Sequence, residues 1–162
     1  MKESLIVPPA IKDMTEREID QFLTCARVGR IGMIFEGKPH IVPVGYGYFE
    51  RKIFFHTCAE GMKMESIRSN PSVCFQVDES ISDASLAKSV VILGKAEILR
   101  DKEAMLPYLQ KLIDKYRVSA SFAQYMTGGN RNVKAELEAV RICVITPERI
   151  TGKKIIRTNG NF

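Results

Sequence analysis

Residues 52–78 read KIFFHTCAEGMKMESIRSNPSVCFQVD, and the order of elements in this run decides the fold. Ile53, Phe54 and Phe55 form an apolar, β-favouring stretch. His56-Thr57-Cys58-Ala59-Glu60-Gly61 reads as a loop of mostly small residues. Met62 to Asn70 can form a short helix, with Met64 and Ile67 inward and Met62 a third candidate for that face. Asn70-Pro71 ends it, because the proline ring disfavours α geometry at the residue before it. Val73, Phe75 and Val77 then alternate with Ser72, Cys74 and Gln76, the pattern of a strand with two unlike faces. The loop carries the chemistry. A helix N-terminus presents unpaired N–H groups and partial positive charge, and so attracts a phosphate. Lys63, in the first turn, opposes the helix dipole, and an anion there would relieve the conflict. Thr57 offers a hydroxyl, and His56 a ring N–H, to the same place. The plainer reading, a solvated lysine on a surface helix, stands beside this one.

The run resembles the flavin-binding split-barrel family of pyridoxamine 5′-phosphate oxidase, and most of all its nitroimidazole-resistance branch. The resemblance rests on Phe55-His56-Thr57, Gly61-Met62-Lys63, Asn70-Pro71 and Val73-Cys74-Phe75 at their mutual spacing. It implies flavin contacts at Phe55, His56, Thr57, Met62 and Lys63. It also implies a role for His56 at the active site, where proton delivery to a reduced substrate and simple orientation of the loop are both open.

Upstream, Val28 to Phe35 is a strand, and Glu36-Gly37 the turn of a hairpin. The next strand runs from Pro39 to Phe49, with Val42, Val44, Tyr46 and Tyr48 on one face and Ile41, Pro43, Gly45, Gly47 and Phe49 on the other. Pro43 cannot donate to a ladder, so the strand is at an edge or locally irregular. Gly45 and Gly47 leave room on one face, which suits a flat ring system or a bend in a twisted barrel strand. In the resembling family this strand passes along the flavin and offers it backbone groups, which implies Val42, Pro43, Val44 and Gly45 as contacts. The oxidase itself carries basic residues here and this chain has none, which separates it from the vitamin B6 substrate.

Thr15 to Glu18 is a capping box that opens a helix with Ile19, Phe22, Leu23 and Ala26 on one face, ending near Cys25. Residues 79–87 are a polar connection. Lys88 to Arg100 is a long strand with Val90, Ile92, Gly94, Ala96 and Ile98 on its apolar side. Ser89 opens it, at the position where the resemblance implies a polar contact to the flavin ring. Asp101 caps a helix to about Arg117, which Pro107 should kink or split. Residues 119–126 are amphipathic, 127–130 a loop and 133–137 a helical turn. Val140 to Thr146 is the last core strand, and Ile150-Thr151-Gly152-Lys153 after it also recurs in the family.

The chain has 162 residues, 45% hydrophobic and 27% charged, which suits one domain with a sizeable core. Residues 1–13 read as an arm and 154–162 as a tail. No apolar run approaches the roughly 20 residues of a membrane helix, and the start does not read as a secretory leader, so we expect a cytoplasmic protein without a membrane partner. Of the net charge of +5, Lys153, Lys154 and Arg157 contribute three, and the remaining +2 is too little for a nucleic-acid face. Cys25, Cys58, Cys74 and Cys143 lie too far apart in sequence for a Cys-x-x-Cys site, so no metal is expected.

These readings give a mainly β protein, a six-stranded antiparallel split β-barrel with peripheral helices. The resemblance implies a homodimer with FMN, or its dinucleotide FAD, at the interface, and reduction of a small aromatic, nitroimidazole-like compound. A flavin or haem storage protein, a deazaflavin protein and a pyridoxamine 5′-phosphate oxidase-like oxidase are the alternatives.

Overall fold

The computed structural model describes residues 10–80, 86–116 and 132–156. The elements are β1 (Ala10–Asp13), α1 (Glu16–Cys25), β2 (Val28–Phe35), β3 (Lys38–Gly45), β4 (Gly47–Phe49), β5 (Lys52–Cys58), α2 (Met62–Ser69), β6 (Ser72–Ser80), β7 (Leu86–Leu99), α3 (Lys102–Lys115), α4 (Val133–Ala139) and β8 (Val140–Ile156). The expectations for residues 1–9, 81–85, 119–130 and 157–162 lie outside the described residues.

The strands form one antiparallel sheet in the order β3-β2-β6-β7-β8-β5-β4, with β1 added to the far half of β8. Its two ends, β3 and β4, are consecutive in the chain and separated by the single residue Tyr46. The sheet therefore curls until its edges meet at that corner, which makes it a barrel. Six long strands carry it, and the short β1 and β4 bring the count of strands among the described residues to eight.

Alternation directs the core. Ile31 and Met33 of β2, Ile53 and Phe55 of β5, Val73, Phe75 and Val77 of β6, Val90 and Ile92 of β7, and Cys143 and Ile145 of β8 fill the interior. α1 closes one side with Ile19, Phe22 and Leu23. Its capping box forms as expected: the Glu18 N–H donates to Thr15 Oγ1 at 3.3 Å, and the Thr15 N–H to Glu18 Oε2 at 2.8 Å. A second, smaller cluster lies outside the barrel wall, where Phe54, Ile142 and Val144 pack under Met105, Leu109 and Leu112 of α3.

Several expectations change. The β5 strand runs on through His56, Thr57 and Cys58, which pair with Ile142, Arg141 and Val140, so the loop is only Ala59–Gly61. The β3 strand stops at Gly45, and Tyr46 breaks the expected single strand in two. The strand expected from Lys88 begins at Leu86, and Ser89 is its fourth residue. The α3 helix runs unbroken from Lys102 to Lys115 with Pro107 as its sixth residue, so the proline does not split it in two. The β8 strand extends to Ile156, flanked there by β1 and β7. Pro43 does lie at an edge, since among the described residues β3 pairs only with β2.

Candidate functional site

Three segments converge at the barrel's closing corner. β3 ends at Gly45, β4 returns from Gly47, and Gly47 pairs with Phe54, two residues before His56. The chain leaves β5 at Cys58, turns through three residues and enters α2. The loop is tied by Ala59 N–H to the Ala139 carbonyl at 2.8 Å and by Arg68 Nη2 to the Ala59 carbonyl at 3.4 Å.

The start of α2 has no side-chain cap. Gly61, its N-cap, has φ 110°, a left-side conformation that glycine adopts without a β-carbon clash, and among the described residues no side chain caps the first-turn N–H groups. Lys63 lies half-buried in that turn and Met62 is exposed, while Glu65 is the turn's one acid. His56 belongs to the same locality: burial lowers its pKa first, and the positive charge of Lys63 lowers it further. His56 remains exposed as a residue, so it is a solvent-reached imidazole held towards its neutral form.

Alternation along β5 separates two residues expected to act together. His56 points outward with Phe54, whereas Thr57 points inward with Ile53 and Phe55 and is buried. The Thr57 hydroxyl and the His56 ring therefore face opposite sides of the strand, a correction to their shared place. Phe55 is fully buried in the core, so its side chain is not available to a ligand from outside the barrel.

On β3, Val42 and Val44 pack against the core, and Ile41, Pro43 and Gly45 face outward. The glycine spaces are already taken. A β-carbon on Gly45 would lie 2.6 Å from the Tyr116 hydroxyl oxygen, and one on Gly47 would overlap the Phe54 ring. Room for a flat ring at Gly47 is thus filled by the protein's own phenyl group. Tyr46 and Tyr48 are both hydrogen-bonded within the chain. Tyr46 is buried and donates to the Leu23 carbonyl at 2.8 Å, and Tyr48 donates to Asp20 Oδ1 at 2.6 Å. Burial pushes both phenols above their ordinary range.

Ser89 lies on β7, three strands from β3 and so roughly 14 Å along the sheet at the usual strand spacing. It belongs to an outward-facing polar group the sequence reading missed. Gln76 Nε2 donates to Ser89 Oγ at 3.5 Å, and Arg30 Nη1 reaches Asp78 at 2.5 Å and Gln76 at 3.2 Å. Arg30 and Gln76 alternate with inward Ile31 and Phe75, so their direction was legible, but their pairing needs the β2–β6 register. The four cysteines are unpaired thiols, and no cluster of three or more His, Cys, Asp or Glu fit for a metal occurs among the described residues. No helix among the described residues is long and apolar enough to cross a membrane.

An antiparallel barrel closed at a one-residue corner, with helices packed outside its wall, defines the split-barrel class. The chain belongs to the pyridoxamine 5′-phosphate oxidase family, whose model matches residues 15–154. A protein of Bacteroides thetaiotaomicron, provisionally named for 5-nitroimidazole antibiotic resistance, superposes with a TM-score of 0.75 at 19% identity, over 96% of this chain and 95% of that one. A FAD-binding protein of Mesorhizobium loti superposes with a TM-score of 0.67 at 24% identity, over 91% and 98%. At these identities the likeness is one of fold. An uncharacterised protein of Rhizobium meliloti (strain 1021) is 27% identical over 89 residues, which span 55% of this chain and 58% of that relative.

Proposed function

We propose that this protein is a flavin-dependent oxidoreductase that reduces a small aromatic compound of the nitroimidazole kind, with FMN or FAD as cofactor. The observation that carries the reading is the His56 end of β5, which lies close enough to Lys63 in the first turn of α2 for that charge to act on the imidazole, with β3 in contact with β5. The residues fit the group. A phosphate at α2 would meet unpaired N–H groups and the Lys63 ammonium, and would offset the charge that lowers the His56 pKa. The outward ledge of Ile41, Pro43 and Gly45, on an edge that no other described strand pairs, leaves backbone groups for a flat ring. Val42 and Val44 would support that ledge from the core side, and Met62 and the backbone of Phe55 would flank the phosphate end. Thr57 would contribute through its backbone, given its buried side chain.

When bound, the flavin would supply the transfer of electrons. The chain's own residues would bind and orient it, and His56 would hold or release a proton at its ring nitrogen. Two fold relatives named for 5-nitroimidazole resistance and for FAD binding support the class of chemistry.

The proposal includes a homodimer. Ile41 and Val28 are 67% and 54% exposed, and Leu93 shares the outward face of the sheet with them; these apolar groups suit cover by a second copy. Four free thiols fit a reducing, cytoplasmic setting.

The test pairs two variants. Lys63→Ala removes a charge-assisted hydrogen bond and should weaken flavin binding roughly ten- to a hundred-fold. His56→Gln should leave flavin bound and lower nitro-compound reduction at least about ten-fold. Unchanged flavin affinity in the first removes Lys63 from the site. Unchanged turnover in the second, with the same pH profile, removes His56 from proton delivery.

A further inference from the structure

The ledge on β3 ends at a residue that neither the sequence motifs nor the family match points to. Tyr116 follows the last residue of α3 and comes from the far end of the chain, 71 positions after Gly45. Its hydroxyl donates to the Arg27 carbonyl at 2.7 Å, and the same carbonyl accepts the Tyr46 N–H at 3.3 Å. The corner residue Tyr46 is held a second time by its own hydroxyl on the Leu23 carbonyl. The Tyr116 oxygen stands 2.6 Å from where a Gly45 β-carbon would be, on the outward side that Gly45 shares with Pro43 and Ile41. One phenol therefore fixes the position of the β3–β4 corner and forms the end wall of the ledge.

We infer that Tyr116 is a positioning residue for the flavin, setting the place of the Gly45 backbone and stopping the ring at that end. The inference rests on the flavin reading above. A side chain at Gly45 would have to displace that hydroxyl, whereas one at Gly32, on the same outward side of β2, meets only ordinary contacts at 3.6 Å.

The test is FMN titration by calorimetry of the full chain, its Tyr116→Phe and Gly45→Ala variants, and the double variant, with thermal melting of each without flavin. Loss of the hydroxyl should weaken FMN binding roughly three- to ten-fold and shift the visible absorption band of bound FMN. Gly45→Ala should weaken it further. The double variant should bind no worse than Gly45→Ala alone, because the nearest remaining ring atom lies 3.4 Å from the new methyl group. Equal FMN affinity and an unmoved band in Tyr116→Phe, with only the melting temperature altered, would make Tyr116 purely structural and overturn the inference. If Gly45→Ala fails to fold, the Tyr116→Phe affinity and band decide alone. A wild-type chain that binds neither FMN nor FAD would overturn the flavin reading itself, an outcome separate from the other two.

Discussion

Gly47→Ala puts the packing of the closing corner to a direct test. A β-carbon at Gly47 would overlap Cζ of Phe54 and lie 2.6 Å from Cε2 and 2.7 Å from Cε1. The ring must move, and it has nowhere to go. Phe54 is 1% exposed, meets Tyr108 edge-on with centroids 5.0 Å apart, and is covered by Met105, Leu109 and Leu112 of α3. Overpacking of a filled core costs about 1–3 kcal/mol. For a domain of this size that corresponds to a fall in Tm of roughly 2–12 °C. Thermal unfolding followed by circular dichroism reads the shift. The second variant, Phe54→Leu, removes the clashing ring atoms, so Gly47→Ala in that background should cost much less than in the wild type, a coupling of about 0.5–3 kcal/mol. An unchanged Tm for Gly47→Ala, or equal costs in both backgrounds, would refute the close contact between Gly47 and Phe54.

Acid should loosen the seam between α1 and β8. Glu18 is held down to about pKa 2, first by its bond to Lys154. A folded pKa below the unfolded value means stability present above pH 4.5 and lost as pH falls towards 2. Lys154→Met should flatten that part of the stability–pH curve measured by urea unfolding, and an identical curve would contradict the linkage. For His56 the sign is opposite to that of an acid's partner. Lys63 lowers its pKa, so Lys63→Ala should raise it in an NMR titration, while burial keeps it below the ordinary 6.5. A pKa that stays put or falls would place Lys63 away from the imidazole.

Local pattern carried much of the fold. The capping box at Thr15–Glu18, the Glu36-Gly37 turn, the edge position of Pro43 and the inward set Val90, Ile92 and Ala96 were each legible within a few residues. What stayed hidden depends on partners far along the chain. His56, Thr57 and Cys58 are strand because they pair with residues 140–142, and no local signal at His56 announces that ladder. The same ladder turned Thr57 inward and split it from His56. A glycine in the sequence advertises space but not its occupant: Phe54 fills the space at Gly47, and Tyr116, just past the end of α3, that at Gly45. The last residues of β8, from Lys154 to Ile156, read as a tail until β1 and β7 are seen on either side of them. At the site, the match of His56, Lys63 and the short helix was readable as a motif, whereas the group of Arg30, Gln76, Asp78 and Ser89 needs the register of three strands.

The central claim is that the corner joining β3, β5 and α2 holds a flavin. The measurement that tests it most directly is the absorbance spectrum of the purified chain, with mass analysis of any released chromophore and titration of FMN and FAD into the stripped protein. The account predicts a yellow protein, or one that takes up a flavin at one per chain, with binding weakened by Lys63→Ala. A colourless protein that binds neither flavin, at concentrations where it is folded, would contradict it.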